Sequence, residues 1–345
     1  MSKRLNKFGE ELGELLEFQN ISIQEYAERI GTTSKNLIDI INGKVSLSFN
    51  LICNISFISD IPVNYITNVE ESFKIDNTIK KFIEEKNISI RQFINNFHYK
   101  DLNKIYNISF KNDLNDYSIA RSILKYLRIT NPIQIYKEDN VIFYKSKNDK
   151  PELLALWLEH CYRTVKEQKI GGYKKDNIEK LVSFIKEEAK NYRFDKEKLI
   201  KEFNKSGIFL AIEPDLKGAK IRGAFRVLNN KPAIFITPKY NRYADIYFAI
   251  LHELAHCKSD FNRAKSGSFV SLENYVSRED YEKRADRTAF NWMIDDDEYK
   301  NIINSKDYDN ASNKCFFAYR LAKDKIISYN SKYYQDNNKL IECKY

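Results

Sequence analysis

The chain has 345 residues, of which 43% are hydrophobic and 30% charged, with a formal net charge of +9. That length allows two or three domains, and the composition is that of an ordinary soluble globular protein. No run approaches the roughly eighteen apolar residues of a membrane span, and the basic start is followed by no apolar stretch of the kind that makes a secretory signal. Five scattered cysteines (Cys53, Cys161, Cys257, Cys315, Cys343) form no C-x-x-C pair. This points to a reducing cytoplasm and away from a zinc ribbon. The positive charge is uneven. Residues 1–72 carry 6 Lys and Arg against 10 Asp and Glu, residues 73–170 carry 18 against 12, and residues 171–345 carry 33 against 26.

The first seventy residues read as short helices broken by turns. Leu12, Leu15 and Leu16 line one face of the first helix. Ser22 suits the N-cap of a second, Ile23 to Ile30, which Gly31 ends, and Thr32-Thr33-Ser34 caps a third that stops at Asn42-Gly43. Two short helices joined by a glycine-containing turn describe a helix-turn-helix. Tyr26-Ala27-Glu28-Arg29-Ile30-Gly31, Ile40-Ile41-Asn42-Gly43-Lys44 and Ile61-Pro62 resemble the XRE-type fold of HigA-like antitoxins and phage repressors. The resemblance implies that Thr33, Ser34, Lys35 and Asn36 face base edges of operator-type double-stranded DNA, with Lys44 on the phosphate backbone. It also makes a homodimer through this segment an option. Ile23 stands where such proteins usually carry a DNA-contacting Gln, and the segment's net negative charge costs electrostatic affinity.

Residues 73–170 read as a mainly helical connector with an internal echo. Asn20-Ile21-Ser22-Ile23-Gln24-Glu25-Tyr26 reappears as Asn87-Ile88-Ser89-Ile90-Arg91-Gln92-Phe93, and Lys35-Asn36-Leu37 through Asn42 as Lys100-Asp101-Leu102 through Asn107. This is either a degenerate second helix-turn-helix or two amphipathic helices sharing a capping pattern. Ile133 to Tyr144 alternates as a short strand or hairpin turning at Glu138-Asp139-Asn140, and Pro151 to Val165 reads as a helix. His98 and His160 have no ligand-like neighbours.

From residue 171 a helical pair (177–192 and 196–205) precedes strands at 208–213, 221–227 and 233–236, with Asn229-Asn230 as a hairpin turn. Then comes His252-Glu253-Leu254-Ala255-His256. On a helix, positions i and i+4 share a face, so the two histidines can grip one zinc ion, and Glu253 can take a proton from water activated there. The apolar run Ile246 to Leu251 buries the helix. Catalytic zinc takes three protein ligands, and the third must come from downstream. Ser277-Arg278-Glu279-Asp280 fits a capping box, starting a helix near Arg278 that carries Glu282, Ala285, Asp286 and Ala289. Glu282 is the favoured ligand, over Glu273, Glu279 and Asp280. Asp286, one turn later, can accept the free ring N–H of a ligand histidine. Cys257 faces elsewhere. Arg222 and Tyr275 are the candidates for stabilising an oxyanion.

The combination of this pentapeptide with Glu282-x-x-Ala285-Asp286-x-x-Ala289 resembles the ImmA/IrrE family of zinc metallopeptidases, as do Gly223, Phe225, Arg226 and Lys231 to Ile236. Thr288 and Ile294 depart from the family at packing positions. The expected fold is mostly α with a small β-sheet (α+β). It comprises an all-α helix-turn-helix domain over 1–72, the connector over 73–170, and a zincin-like α+β metallopeptidase domain with a C-terminal extension over 171–345. The resemblance implies a DNA-binding regulatory zinc metalloendopeptidase, gluzincin-like, that cleaves or inactivates a repressor or toxin-antitoxin partner protein. The alternative is a HigA-like repressor whose peptidase-like half is a non-catalytic platform for a partner.

Overall fold

A computed structural model describes residues 8–109, 115–136, 150–266, 269–272 and 280–341. Helices dominate and a small sheet accompanies them, which is the α+β class. Contacts divide the chain into two units: Met1–Asn95 with Phe110–Gln134, and Asn96–Ser109 with Ile135–Tyr345. Residues 73–170 are therefore shared between the units. No helix among the described residues is long and apolar enough to cross a membrane.

Chain order begins with α1 (Phe8–Gln19), α2 (Ile23–Arg29), α3 (Ser34–Ile41), α4 (Phe49–Ser59), α5 (Val63–Lys86), α6 (Ile90–Asn96), α7 (Leu102–Tyr106), α8 (Asp116–Leu127) and α9 (Ile133–Tyr136). In the first unit Leu12 and Leu16 of α1 pack with Tyr26, Ile30, Leu37 and Ile40 of the next two helices and turns, and with Ile52 and Ile55 of α4. α1 meets α3 at Gly9, where a Cβ would collide with the carbonyl oxygen of Ile40, and at Gly13, where it would sit 3.1 Å from the Ile41 side chain. At Gly9 backbone approaches backbone because the residue lacks a side chain, and at Gly13 the same lack admits the Ile41 side chain.

The repeated Asn-Ile-Ser-Ile segment has a local cause. Asn20 and Asn87 both take left-handed backbone, at φ 57° and 51°. The following isoleucine N–H in each copy reaches back to a helical carbonyl, Leu16 O at 3.0 Å and Ile83 O at 3.1 Å. Ser22 and Ser89 then cap the next helix, accepting from Glu25 N at 3.2 Å and Gln92 N at 3.0 Å. A helix stop fused to a helix start accounts for the matching residues. The second half of the echo diverges, since Gly43 supplies positive φ after α3 whereas Asn107 does so itself after the five-residue α7.

One expectation is corrected. Ile133–Tyr136 is a helical turn rather than the start of a strand, because Asn131 Oδ1 accepts from Ile133 N at 3.0 Å and Pro132 presets a helical φ. The turn at Glu138-Asp139-Asn140 and the remainder of that hairpin lie outside the described residues, as does Cys343.

The second unit continues with α10 (Pro151–Lys166), α11 (Asn177–Lys190), α12 (Lys196–Lys205), β1 (Phe209–Ile212), β2 (Ile221–Leu228), β3 (Lys231–Ile236), α13 (Tyr243–Ser259), β4 (Phe269–Leu272), α14 (Asp280–Met293), α15 (Asp296–Ser305), α16 (Lys314–Lys323) and α17 (Lys332–Asn337). The sheet order is β1-β3-β2-β4, with β1 parallel to β3 and the other pairs antiparallel. Asn229 and Asn230 both have positive φ, 49° and 59°, which a two-residue hairpin turn between right-twisted strands requires. The short strand β4 adds a fourth to the three strands expected from the sequence. Its register against β2 slips between Ile221 and Gly223.

α13 runs through the middle of this core. Thirteen of its 17 residues are buried, Ile250, Leu251 and Leu254 among them, and its neighbours include β2, β3, α11, α14 and α16. A helix apolar on all sides is stable only when surrounded in this way. Its N-terminus has no side-chain cap of its own; Asn338, fully buried and 94 positions downstream of Ala244, accepts from Ala244 N at 3.0 Å.

Candidate metal centre

Helical periodicity places His252 and His256 on one side of α13, one turn apart. Their Nε2 atoms lie 3.2 Å from each other. Glu282, in the first turn of α14, comes within 3.2 Å of His252 Nε2 through Oε2 and within 3.4 Å of His256 Nε2 through Oε1. Ala285 and Ala289 are buried on α14 beside it, and their small side chains let the two helices close up. Among the described residues, His252, His256 and Glu282 form the one group of three or more His, Cys, Asp or Glu side chains close enough to hold a metal ion.

The far nitrogen of each imidazole is fixed. His252 Nδ1 donates to Asp286 Oδ1 at 2.9 Å, and His256 Nδ1 donates to Asp260 Oδ2 at 3.0 Å. A carboxylate only accepts, so each Nδ1 carries a proton and each Nε2 faces Glu282, protonated when no cation is bound and as an inward lone pair when one is. Two ring nitrogens and a carboxylate thus converge, an arrangement that calls for positive charge, supplied by protons or by a metal ion. A tetrahedral zinc site with ligands at roughly 2.0–2.1 Å spaces its donors roughly 3.3–3.4 Å apart, close to the separations here. The donor set fits a divalent cation.

The electrostatics of the protein alone point the same way. Burial would lower His252, but hydrogen bonds to Asp286 and Glu282 and the charge of Glu253 outweigh it and push it up to about 10. His256 is also raised: burial opposes this, and hydrogen bonds to Asp260 and Glu282 prevail. Burial would raise Glu282, yet the two histidines pull it down to about 2. Protons are held tightly where a cation would be favoured.

Glu253 is almost completely buried beside the donors, at 1% exposure. Gly223 of β2 makes room for it: a Cβ there would stand 2.6 Å from Glu253 Oε1 and 3.1 Å from its Cγ. Cys257, by contrast, directs its thiol to the Tyr173 hydroxyl at 3.5 Å. Arg222 donates to the Tyr319 hydroxyl and stacks 4.4 Å over the Phe248 ring, so its guanidinium is engaged within the fold. Tyr275, Glu273 and Glu279 lie outside the described residues, as do Ser277 and Arg278 of the expected capping box; α14 is described from Asp280, which is not part of the donor group. His160 stacks on Tyr106 at 4.2 Å and meets Glu213 at 3.4 Å.

Two contributors escaped the sequence reading. Asp260 lies one turn beyond His256 on the same face, a spacing that could have flagged it. Arg284, which reaches Asp260 Oδ1 at 2.5 Å from α14, had no such signal.

In the first unit the candidate DNA-facing residues cluster at the start of α3. Thr33 Oγ1 is used as the cap, accepting from Asn36 N at 3.2 Å, and Asn36 Nδ2 donates to Thr32 Oγ1 at 2.9 Å. Ser34 is half-buried. Lys35 and Lys44 are exposed, Lys44 lying 3.7 Å from Asp39. Comparison with protein-family models, with curated proteins and with solved structures gave no match.

Proposed function

We propose that this chain is a zinc-dependent regulatory endopeptidase, similar to the ImmA/IrrE metallopeptidases, joined to a helix-turn-helix unit that reads operator DNA. The observation that carries the reading is the convergence of His252 Nε2, His256 Nε2 and Glu282 with the carboxylate of Glu253 buried beside them. One zinc ion per chain would supply Lewis-acid polarisation of a peptide carbonyl and acidify water at neutral pH. Asp286 and Asp260 hold the histidine tautomers that such binding needs. Glu253 accepts a proton from the attacking water and returns it to the nitrogen as the C–N bond breaks, so the nitrogen leaves as an amine and not as an amide anion. A purely structural zinc site has no use for that fourth carboxylate.

The substrate class is a protein, and the family resemblance makes a repressor or toxin-antitoxin partner the first to test. A reducing, cytoplasmic setting is supported by the four described cysteines, all free. Operator binding is supported by the capped α2–turn–α3 arrangement with Lys35 and Lys44 at its surface. The deciding experiment is proteolysis of candidate repressors by the purified chain and by Glu253→Gln. The variant is expected to keep its zinc and its circular dichroism while cleavage falls about 100- to 10,000-fold, the range general-base removal produces. Loss of zinc together with cleavage would instead make Glu253 a structural residue.

A further inference from the structure

The two ligand histidines are supported unequally. The Asp286 side chain that holds His252 is 51% exposed and comes from α14, whereas the Asp260 side chain that holds His256 is 6% exposed and closes α13 itself. Both oxygens of Asp260 are used, Oδ2 by His256 and Oδ1 by Arg284 at 2.5 Å. Arg284 therefore ties the C-terminal end of α13 to α14, two residues beyond Glu282. A second tie runs alongside. Arg263, in the 3-10 turn Arg263–Ser266 after α13, lies 4.4 Å over the ring of Tyr281, the residue before Glu282.

Glu282 comes from α14, a different helix from the one that carries both histidines, so the donor group is complete only while α14 lies against α13. A ligand on a separate element must be ordered each time the cation binds, unless something holds it in advance. From this geometry we infer that Arg284, clamped on Asp260, is a positioning residue: with the Arg263–Tyr281 contact it latches the first turn of α14 onto α13 and pre-organises Glu282 as the third ligand. The inference rests on the metal reading above. Arg284 touches no donor atom, and its own side chain is half exposed, so its substitution leaves the core intact.

The test is zinc affinity by competition with a chromophoric chelator, in full-length Arg284→Ala and Arg284→Lys, each made with Glu282 present and with Glu282→Gln. The latch predicts that Arg284→Ala weakens zinc about tenfold, the lower end for supporting residues of metal sites, and that Arg284→Lys recovers most of the loss. In the Glu282→Gln background Arg284→Ala should change affinity less than about twofold, because its effect passes through Glu282. Hydrogen exchange on the metal-free proteins provides an independent arm, with faster exchange at 281–284 expected in Arg284→Ala. Equal zinc losses in both backgrounds, or unchanged exchange, would overturn the latch. A native chain that binds no zinc would sink the metal reading instead, and the exchange arm would still judge the latch.

Discussion

Gly9 and Gly223 solve the same steric problem for different ends. In the first unit Gly9 admits the backbone of α3 against α1, so the missing side chain serves the packing of the fold. In the second unit Gly223 admits the carboxylate of Glu253 against the sheet, so the space serves a chemical group. The contrast extends to polar residues. The second unit buries His252, His256 and Glu253 among convergent partners, while the first leaves Lys35 and Lys44 at the surface. Buried polar groups are costly unless paired, so a cluster of them argues for a site. Exposed lysines are common and argue for little by themselves.

The comparison breaks most sharply at the ligands. His252→Ala, His256→Ala and Glu282→Ala should each remove most of the zinc found by elemental analysis, whereas Lys35→Ala should remove none. Full zinc in His256→Ala would place the ion elsewhere. Next in size is Gly223→Ala. The new Cβ must displace Glu253, so cleavage should fall by at least about tenfold with zinc retained, since proton transfer tolerates little misplacement. Unchanged cleavage would mean that Glu253 has room to retreat.

Gly9→Ala, the same chemical change, should instead destabilise the first unit by about 1–3 kcal/mol, the usual cost of overpacking. Thermal melting would show it, and zinc content should not move; a stability equal to that of the native chain would show that α1 can slide on α3. The smallest effect belongs to Lys44→Ala. In gel-shift titrations against salt it should lower the slope of log affinity by about one, the signature of a single phosphate contact. An unchanged slope would leave that lysine without a role at the DNA.

Much of the candidate centre was legible because it is local. The i, i+4 spacing of the histidines, the intervening glutamate and the i, i+4 pair Glu282 and Asp286 are all consequences of helical periodicity. Asp260 obeys the same rule with His256 and could have been read. Arg284 could not, because its partner lies on another helix across a stretch that contains β4. The strand over 133–144 failed at its start because alternation over a few residues is weak evidence beside Asn131 and Pro132, which begin a helical turn. The internal echo left two readings open, because identical caps produce identical residues whatever the helices later pack against.

The sequence by itself determined the class of fold, the limits of several helices, the Asn-Asn hairpin and the residues able to bind metal, since each depends on neighbours within a turn or two of chain. Only the tertiary structure decided the rest. It set the crossing of α14 over α13 that brings Glu282 to the histidines, the approach of Gly223 to Glu253, the cap lent to α13 by Asn338, and the ion pair between Arg284 and Asp260. These contacts join residues 24 to 94 positions apart; their physical cause is the packing of apolar helix and sheet faces, which carries polar passengers into place without leaving a periodic trace.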